Sequence, residues 1–133
     1  MDVMSLLSVD PIRFEVIRNA MLAVVEEMGA ALKRSAYSTN IKTRADFSCG
    51  FFDQKCRIVV QAFAQPTHLA SLVEVVPNTV KDYGVENLSP GDGIIVNDVH
   101  RVGGVHLNDI AVVSPVFVGD EIFGYVANIA HHV

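Results

Sequence analysis

Two apolar runs meeting at Gly119-Asp120 constrain this fold most. "IAVVSPVFV" and "EIFGYVANIAHH" read as the two arms of one long hairpin, with Gly-Asp as its turn. A second hairpin is legible upstream, where "FSCGFF" and "RIVVQAF" flank Asp53, Gln54 and Lys55. "LSPGDGIIVND" adds a turn feeding a short buried strand, Ile94 to Asn97. Two helical stretches complete the pattern. "DPIRFEVIRNAMLAVVEEMGAALKRSAYS" opens with Asp10 as N-cap and Pro11 at the first helical position. Phe14, Ile17, Met21, Val24, Val25, Met28 and Leu32 then fall on one helical face, read as a core-facing or helix-pairing stripe. "THLASLVEVVPNTVKDYG" is the second, with Thr67 as cap, Leu69, Leu72, Val73, Val76 and Val80 on one face, and Gly84 as the stop. Pro77 inside it predicts a kink or a split. The expected class is α+β: a long N-terminal amphipathic helix, a second helix and a mixed, largely antiparallel sheet of hairpins.

A length of 133 residues is that of a single domain, and half of them are hydrophobic, enough for a real core. Residues 1–9 read as a flexible N-terminus and 10–133 as one unit. The chain stops inside the apolar run "YVANIAHHV", so the expectation is a truncated part of a larger fold. A formal charge of -5 without basic clusters argues against a nucleic-acid surface. The N-terminus is too short in its apolar run for a signal peptide, and no apolar run reaches the length of about 18 residues that a membrane span needs. Cys49 and Cys56 form no CxxC knuckle. They read as buried thiols of a cytoplasmic protein, with cross-strand proximity left open.

The chemistry concentrates in "NDVHRVGGVHLNDI", residues 97–110. His106 and Asp109, three positions apart, can converge on one point from a tight turn. Imidazole with carboxylate suits divalent zinc, manganese or iron. Gly103 and Gly104 allow the irregular backbone that wrapping an ion requires. Alone, a His-x-x-Asp pair also describes an ordinary capped loop. Three features strengthen the metal reading. His131 and His132 end the last strand, where neighbours point to opposite faces, so one of them can face the site. Asp46, just before a strand, can be a ligand, a base or a turn residue. His100 reads as a pocket-lining candidate beside Asp98, whereas His68 at the start of the second helix reads as a cap-region or surface histidine.

Taken together, "DPIRFEVIRNAM", "RADFSCGFFD", "HLASL", "GDGIIVNDVHRVGGVHLNDIAVVSPVF" and "VANIAHH" resemble the N-terminal part of the hydantoinase B / 5-oxoprolinase family, which also takes in acetone and acetophenone carboxylase catalytic subunits. Family members usually carry proline where this chain has Asn108, and Pro-Tyr where it has Val99 and His100. The first departure is compatible with the same turn; the second bears on substrate choice. The resemblance implies a metal-dependent, ATP-coupled hydrolase that opens a hydantoin, 5-oxoproline or lactam ring. It implies His106, Asp109 and His131 as ligands of a divalent ion (Zn, Mn or Fe), Asp46 as a fourth, and His132 or His100 as the proton shuttle. A divalent ion polarises a carbonyl or lowers the pKa of a water towards about 7. No G-x-x-x-x-G-K-S/T loop is present, so ATP is expected on a partner, a hydantoinase A-like subunit in a hetero-oligomer.

Three other readings remain at this level. The same ion could serve a carboxylase of the acetone or acetophenone type. The chain could be a non-catalytic metal-binding or assembly module docking through its long helix. Two histidines and one carboxylate could also hold the iron of an oxygen-activating enzyme.

Overall fold

The computed structural model describes residues 10–62 and 65–133, so the expected flexible segment 1–9 lies outside the described residues. The N-terminal helix α1 runs Pro11–Ser35, followed by a one-turn helix α2, Thr39–Lys42. Strands β1 (Phe47–Asp53) and β2 (Ile58–Gln61) precede helix α3, Pro66–Tyr83. After a 3-10 turn at Val85–Asn87 come β3 (Ile94–Val96), β4 (Asp109–Val118) and β5 (Glu121–His131). The five strands form one sheet in the order β2-β1-β5-β4-β3, every pairing antiparallel. The α+β class and the hairpin at Gly119-Asp120 are therefore as the sequence predicts, and Gly119 sits at φ 62, where a glycine turn is favoured.

β1 and β5 are central strands packed on both faces, because α3 lies on one side of the sheet and α1 on the other. Phe52, Tyr125, Ala127, Ile129, Ala111 and Val113 meet Leu72, Val75, Val76 and Val80 of α3 in the larger core. On the opposite face Phe51 packs with Val25 of α1, and Phe47, Cys49 and Ala130 pack with Ile41 of α2. The alternation along each strand thus sorts neighbours such as Phe51 and Phe52 into different cores.

Several local expectations need correction. Pro77 does not split α3 into two elements; Pro66–Tyr83 is one helix. The carbonyl left without its donor belongs to Val73, a residue on the exposed side of the helix, where water can serve it. The cap is Gln65 with Pro66 inside the first turn, not Thr67, whereas Asp10 does cap α1, accepting from the Ile12 N–H at 3.0 Å. On α1 the apolar stripe is buried only in its second half. Val25 and Gly29 are buried, while Phe14 and Ile17 in the first half are about half exposed, as is Val24, which lies off the buried line beside Val25. Cys49 and Cys56 are free thiols on opposite faces, so they are not cross-strand neighbours. Burial pushes the Cys49 thiol up to about 11, and Cys56 is only half-buried. No helix among the described residues is long and apolar enough to cross a membrane.

Candidate metal centre

The start of β4, the end of β5, the approach to β1 and the first turn of α3 converge at one end of the sheet. Asp109 and His131 are direct cross-strand partners. Both lie on the side where Ala111 and Ile129 meet α3, since residues two apart share a face. The strand ladder runs on into this corner, because the His131 N–H donates to the Asp46 carbonyl at 3.0 Å. His106 reaches the same point through a tight turn closed by the Asp109 N–H donating to the His106 carbonyl at 3.0 Å.

Two features hold this loop. Gly103 adopts φ +100, a conformation that favours glycine, and a Cβ there would come within a tight 3.1 Å of Glu74 Cβ where the chain passes α3. The Asn78 amide donates to the Val102 carbonyl at 3.2 Å, joining loop to helix. Asn108, in the position where proline was expected, uses the side chain that proline lacks. Its Nδ2 donates to the His132 carbonyl at 3.1 Å, and the His132 N–H donates back to the Asn108 carbonyl at 2.9 Å. The loop is thereby stapled to the end of β5.

The result is a compact triangle. His131 Nδ1 lies 2.9 Å from Asp109 Oδ1 and 2.9 Å from His106 Nε2, and His106 Nε2 lies 3.1 Å from the same Asp109 oxygen. Three ligands at right angles around an ion, each about 2.1 Å from it, would stand about 3.0 Å apart, so the spacing fits an ion shared by all three. Two imidazoles and one carboxylate form a donor set of zinc, manganese or ferrous iron. Asp109 is 3 % exposed, and its Oδ2 is buried with no partner among the described residues. A buried carboxylate with Oδ2 unpartnered and two imidazole nitrogens drawn up to Oδ1 is what a cation would satisfy. The His106 side chain is half exposed, which leaves the triangle open to one side.

A cavity of about 190 Å³ adjoins the triangle, lined by Asp46, Gln65, Thr67, His68, Val105, His106, Asp109 and His131. Asp46 therefore faces the same space but stands outside the close group of three. His100 is exposed on a turn capped by Asp98, whose Oδ1 accepts the His100 and Arg101 N–H groups at 3.0 and 3.1 Å. Neither His100 nor His132 lines the cavity. His68 is the residue that sequence reasoning misplaced. It is 5 % exposed, with Nε2 3.4 Å from Asp109 Oδ1 and Nδ1 3.8 Å from Asp46 Oδ1. The buried face of α3 runs His68, Leu72, Val75, Val76, Thr79 and Val80, a helical spacing that includes His68 and leaves Val73 outside.

A family model described as hydantoinase B/oxoprolinase matches residues 10–133. The chain belongs to the hydantoinase B/oxoprolinase family. An uncharacterized protein of Methanocaldococcus jannaschii is 46 % identical over 126 residues, covering 93 % of this chain and 22 % of that protein. A 5-oxoprolinase of Saccharomyces cerevisiae is 39 % identical, covering 95 % of this chain and 10 % of the enzyme. Among solved structures, an ATP-dependent caprolactamase of Pseudomonas jessenii superimposes with a TM-score of 0.80 at 25 % identity, over 95 % of this chain and 21 % of that one. A nucleotide-free acetone carboxylase gives 0.80 at 20 % identity, over 92 % and 16 %, and shares the fold. This hydantoinase B-like chain spans about a fifth or less of these relatives.

Proposed function

We propose that this chain is the metal-holding segment of a cyclic amidase of the hydantoinase/5-oxoprolinase type. The enzyme opens the C–N bond of a hydantoin, 5-oxoproline or lactam ring in the cytoplasm, coupled to ATP used by a hydantoinase A-like partner in a hetero-oligomer. The observation that carries this reading is the His106–Asp109–His131 triangle, with side chains meeting at ligand spacing in a chain of this family. The names of the similar 5-oxoprolinase and ATP-dependent caprolactamase support the substrate class and the ATP coupling. ATP is assigned to a partner because this sequence contains no phosphate loop.

In this reading His106, Asp109 and His131 hold a divalent ion, and Asp46 adds a carboxylate from the cavity wall. When bound, such an ion polarises a ring carbonyl and lowers the pKa of a water towards about 7. The chain's own contribution is preorganisation. The β4–β5 ladder sets Asp109 against His131, and the turn after Gly104 brings in His106, so little ordering remains when an ion arrives. The cavity shelters one side, and the exposed edge of His106 leaves an approach for substrate. His132 and His100, which do not line the cavity, take no part in this assignment.

Equilibrium dialysis against Mn2+, Zn2+ or Fe2+ followed by elemental analysis tests the site. One ion per chain is expected, lost in His106→Ala and kept in His132→Ala. ATP-dependent ring opening of 5-oxoproline or hydantoin, followed by chromatography of the open-chain amino acid, tests the reaction. Turnover is expected from a full-length polypeptide with its ATP-using partner and not from these 133 residues alone. Retention of the ion in His106→Ala, or turnover by the isolated chain, would refute the proposal.

A further inference from the structure

We propose that His68 is a positioning residue for this centre: it steadies the Asp109 carboxylate without joining the ligand set. The inference rests on the reading of His106, Asp109 and His131 as ligands, and it concerns a residue which that reading leaves unused. His68 occupies the first turn of α3, on the stripe that continues through Leu72, Val75 and Val76 into the core. Packing alone would favour an apolar side chain at such a position. Instead the ring lies between two carboxylates, 3.4 Å from Asp109 Oδ1 through Nε2 and 3.8 Å from Asp46 Oδ1 through Nδ1. Nδ1 has no hydrogen-bond partner among the described residues, although the ring is almost wholly buried. A polar ring kept in a core at the expense of satisfaction needs a reason, and its two nearest acidic neighbours provide one.

Ligation and positioning are separable on the geometry. The three ligand atoms of His106, Asp109 and His131 all lie within 4.8 Å of one another, and His68 is outside that group. It approaches Asp109 from the helix side, farther from the oxygen than His106 at 3.1 Å or His131 at 2.9 Å. The start of α3 that carries this ring is anchored to its surroundings. Ser48 Oγ donates to the Gln65 carbonyl at 3.2 Å, tying the start of α3 to β1, and Ser71 Oγ donates to the Thr67 carbonyl at 3.0 Å. A ligating carboxylate is ordinarily oriented by an outer neighbour of this kind, and losing one weakens metal binding roughly 10- to 100-fold.

Mn2+ binding to the 133-residue chain provides the test, with affinity from chelator competition and coordinated nitrogens counted by pulsed EPR. His68→Leu and His68→Ala are expected to weaken Mn2+ by roughly 10- to 100-fold. His68→Gln, which keeps a donor, should recover part of the loss. Wild type and all three variants should show the same two coordinated imidazoles. The ion-free melting temperature of His68→Leu should equal or exceed that of wild type, since leucine suits the apolar stripe. Unchanged affinity in His68→Leu overturns the proposal. Loss of a nitrogen coupling overturns it too, because His68 would then be a ligand, and a large fall in ion-free melting temperature would make the role purely structural. A wild-type chain that binds no Mn2+, or one whose two couplings survive His106→Ala and His131→Ala, refutes the ligand reading itself and His68's role with it.

Discussion

Replacing Asp109 by asparagine removes one charge and almost no volume from the centre of the triangle. In the ion-free chain the effect should be small, since the amide oxygen can still accept where Oδ1 lies 2.9 Å from His131 and 3.1 Å from His106. With an ion bound, the change deletes the only anionic member of the close group. Removing one partner of a buried charge pair costs about 3–5 kcal/mol, which is roughly a 150- to 5000-fold rise in Kd. The consequence can be read as heat stability. At a free ion concentration 100 times the wild-type Kd, binding stabilises the folded chain by about 2.7 kcal/mol. A chain of 133 residues unfolds with an entropy of about 0.28 kcal/mol/K, so the ion should raise the wild-type melting temperature by about 10 °C. In Asp109→Asn at the same concentration the ion is below its new Kd, and the rise should shrink to about 1 °C. Thermal melts by circular dichroism, with ion and with EDTA, give all four numbers. An Asp109→Asn chain that keeps the full ion-induced rise would refute the reasoning, as would a wild-type chain with none.

Gly124→Ala should destabilise the fold itself. A Cβ on Gly124 would fall 2.3 Å from the Phe52 carbonyl oxygen and 2.7 Å from Phe51 Cζ, and the backbone atom cannot step aside within the β1–β5 ladder. The overpacking cost of about 1–3 kcal/mol predicts a melting temperature lower by about 4–11 °C, and a change under 2 °C would contradict it. Asp53→Asn should weaken the β1–β2 turn in a pH-dependent way. The Arg57 backbone N–H, then its guanidinium, hold the Asp53 carboxyl below its ordinary range, with the Lys55 N–H contributing less. A carboxyl depressed on folding stabilises above its unfolded pKa and loses that contribution as pH falls through its folded value. The melting difference between wild type and Asp53→Asn should therefore be constant from pH 6 to 8 and shrink as pH falls below the unfolded aspartate value of about 3.9 towards the lower folded value. A difference that is the same at pH 2 as at pH 7 would refute the assignment.

Local chemistry decides much of this molecule. Asp10-Pro11 starts α1, the Gly119-Asp120 turn sets the β4–β5 hairpin, and period-two alternation through residues 109–113 gives β4 its two faces. Each depends on neighbours within a few residues, which a linear sequence displays directly. The His106–Asp109 half of the triangle is equally local, a turn closed by one backbone hydrogen bond.

What lies across the chain is set by tertiary packing. Pro77 stays inside α3 because packing against the sheet outweighs one missing hydrogen bond, a balance that propensity cannot weigh. The first half of the α1 stripe is exposed because only Met21, Val25, Met28 and Leu32 reach the clusters formed with β1 and α2, a packing known only once the strands pair. His131 faces the cavity while His132 does not because β4–β5 register pairs residue 131 with 109, and a one-residue slip would exchange them. His68 enters for the same reason. Its helix phase is fixed by Gln65 and Pro66 at the start of α3 and by the core that α3 buries, which turns the ring inward beneath Asp109. Strands, turns and donor types follow from local sequence, whereas the folded sheet, by closing distances between residues 46, 68, 106, 109 and 131, selects which of those donors share one cavity.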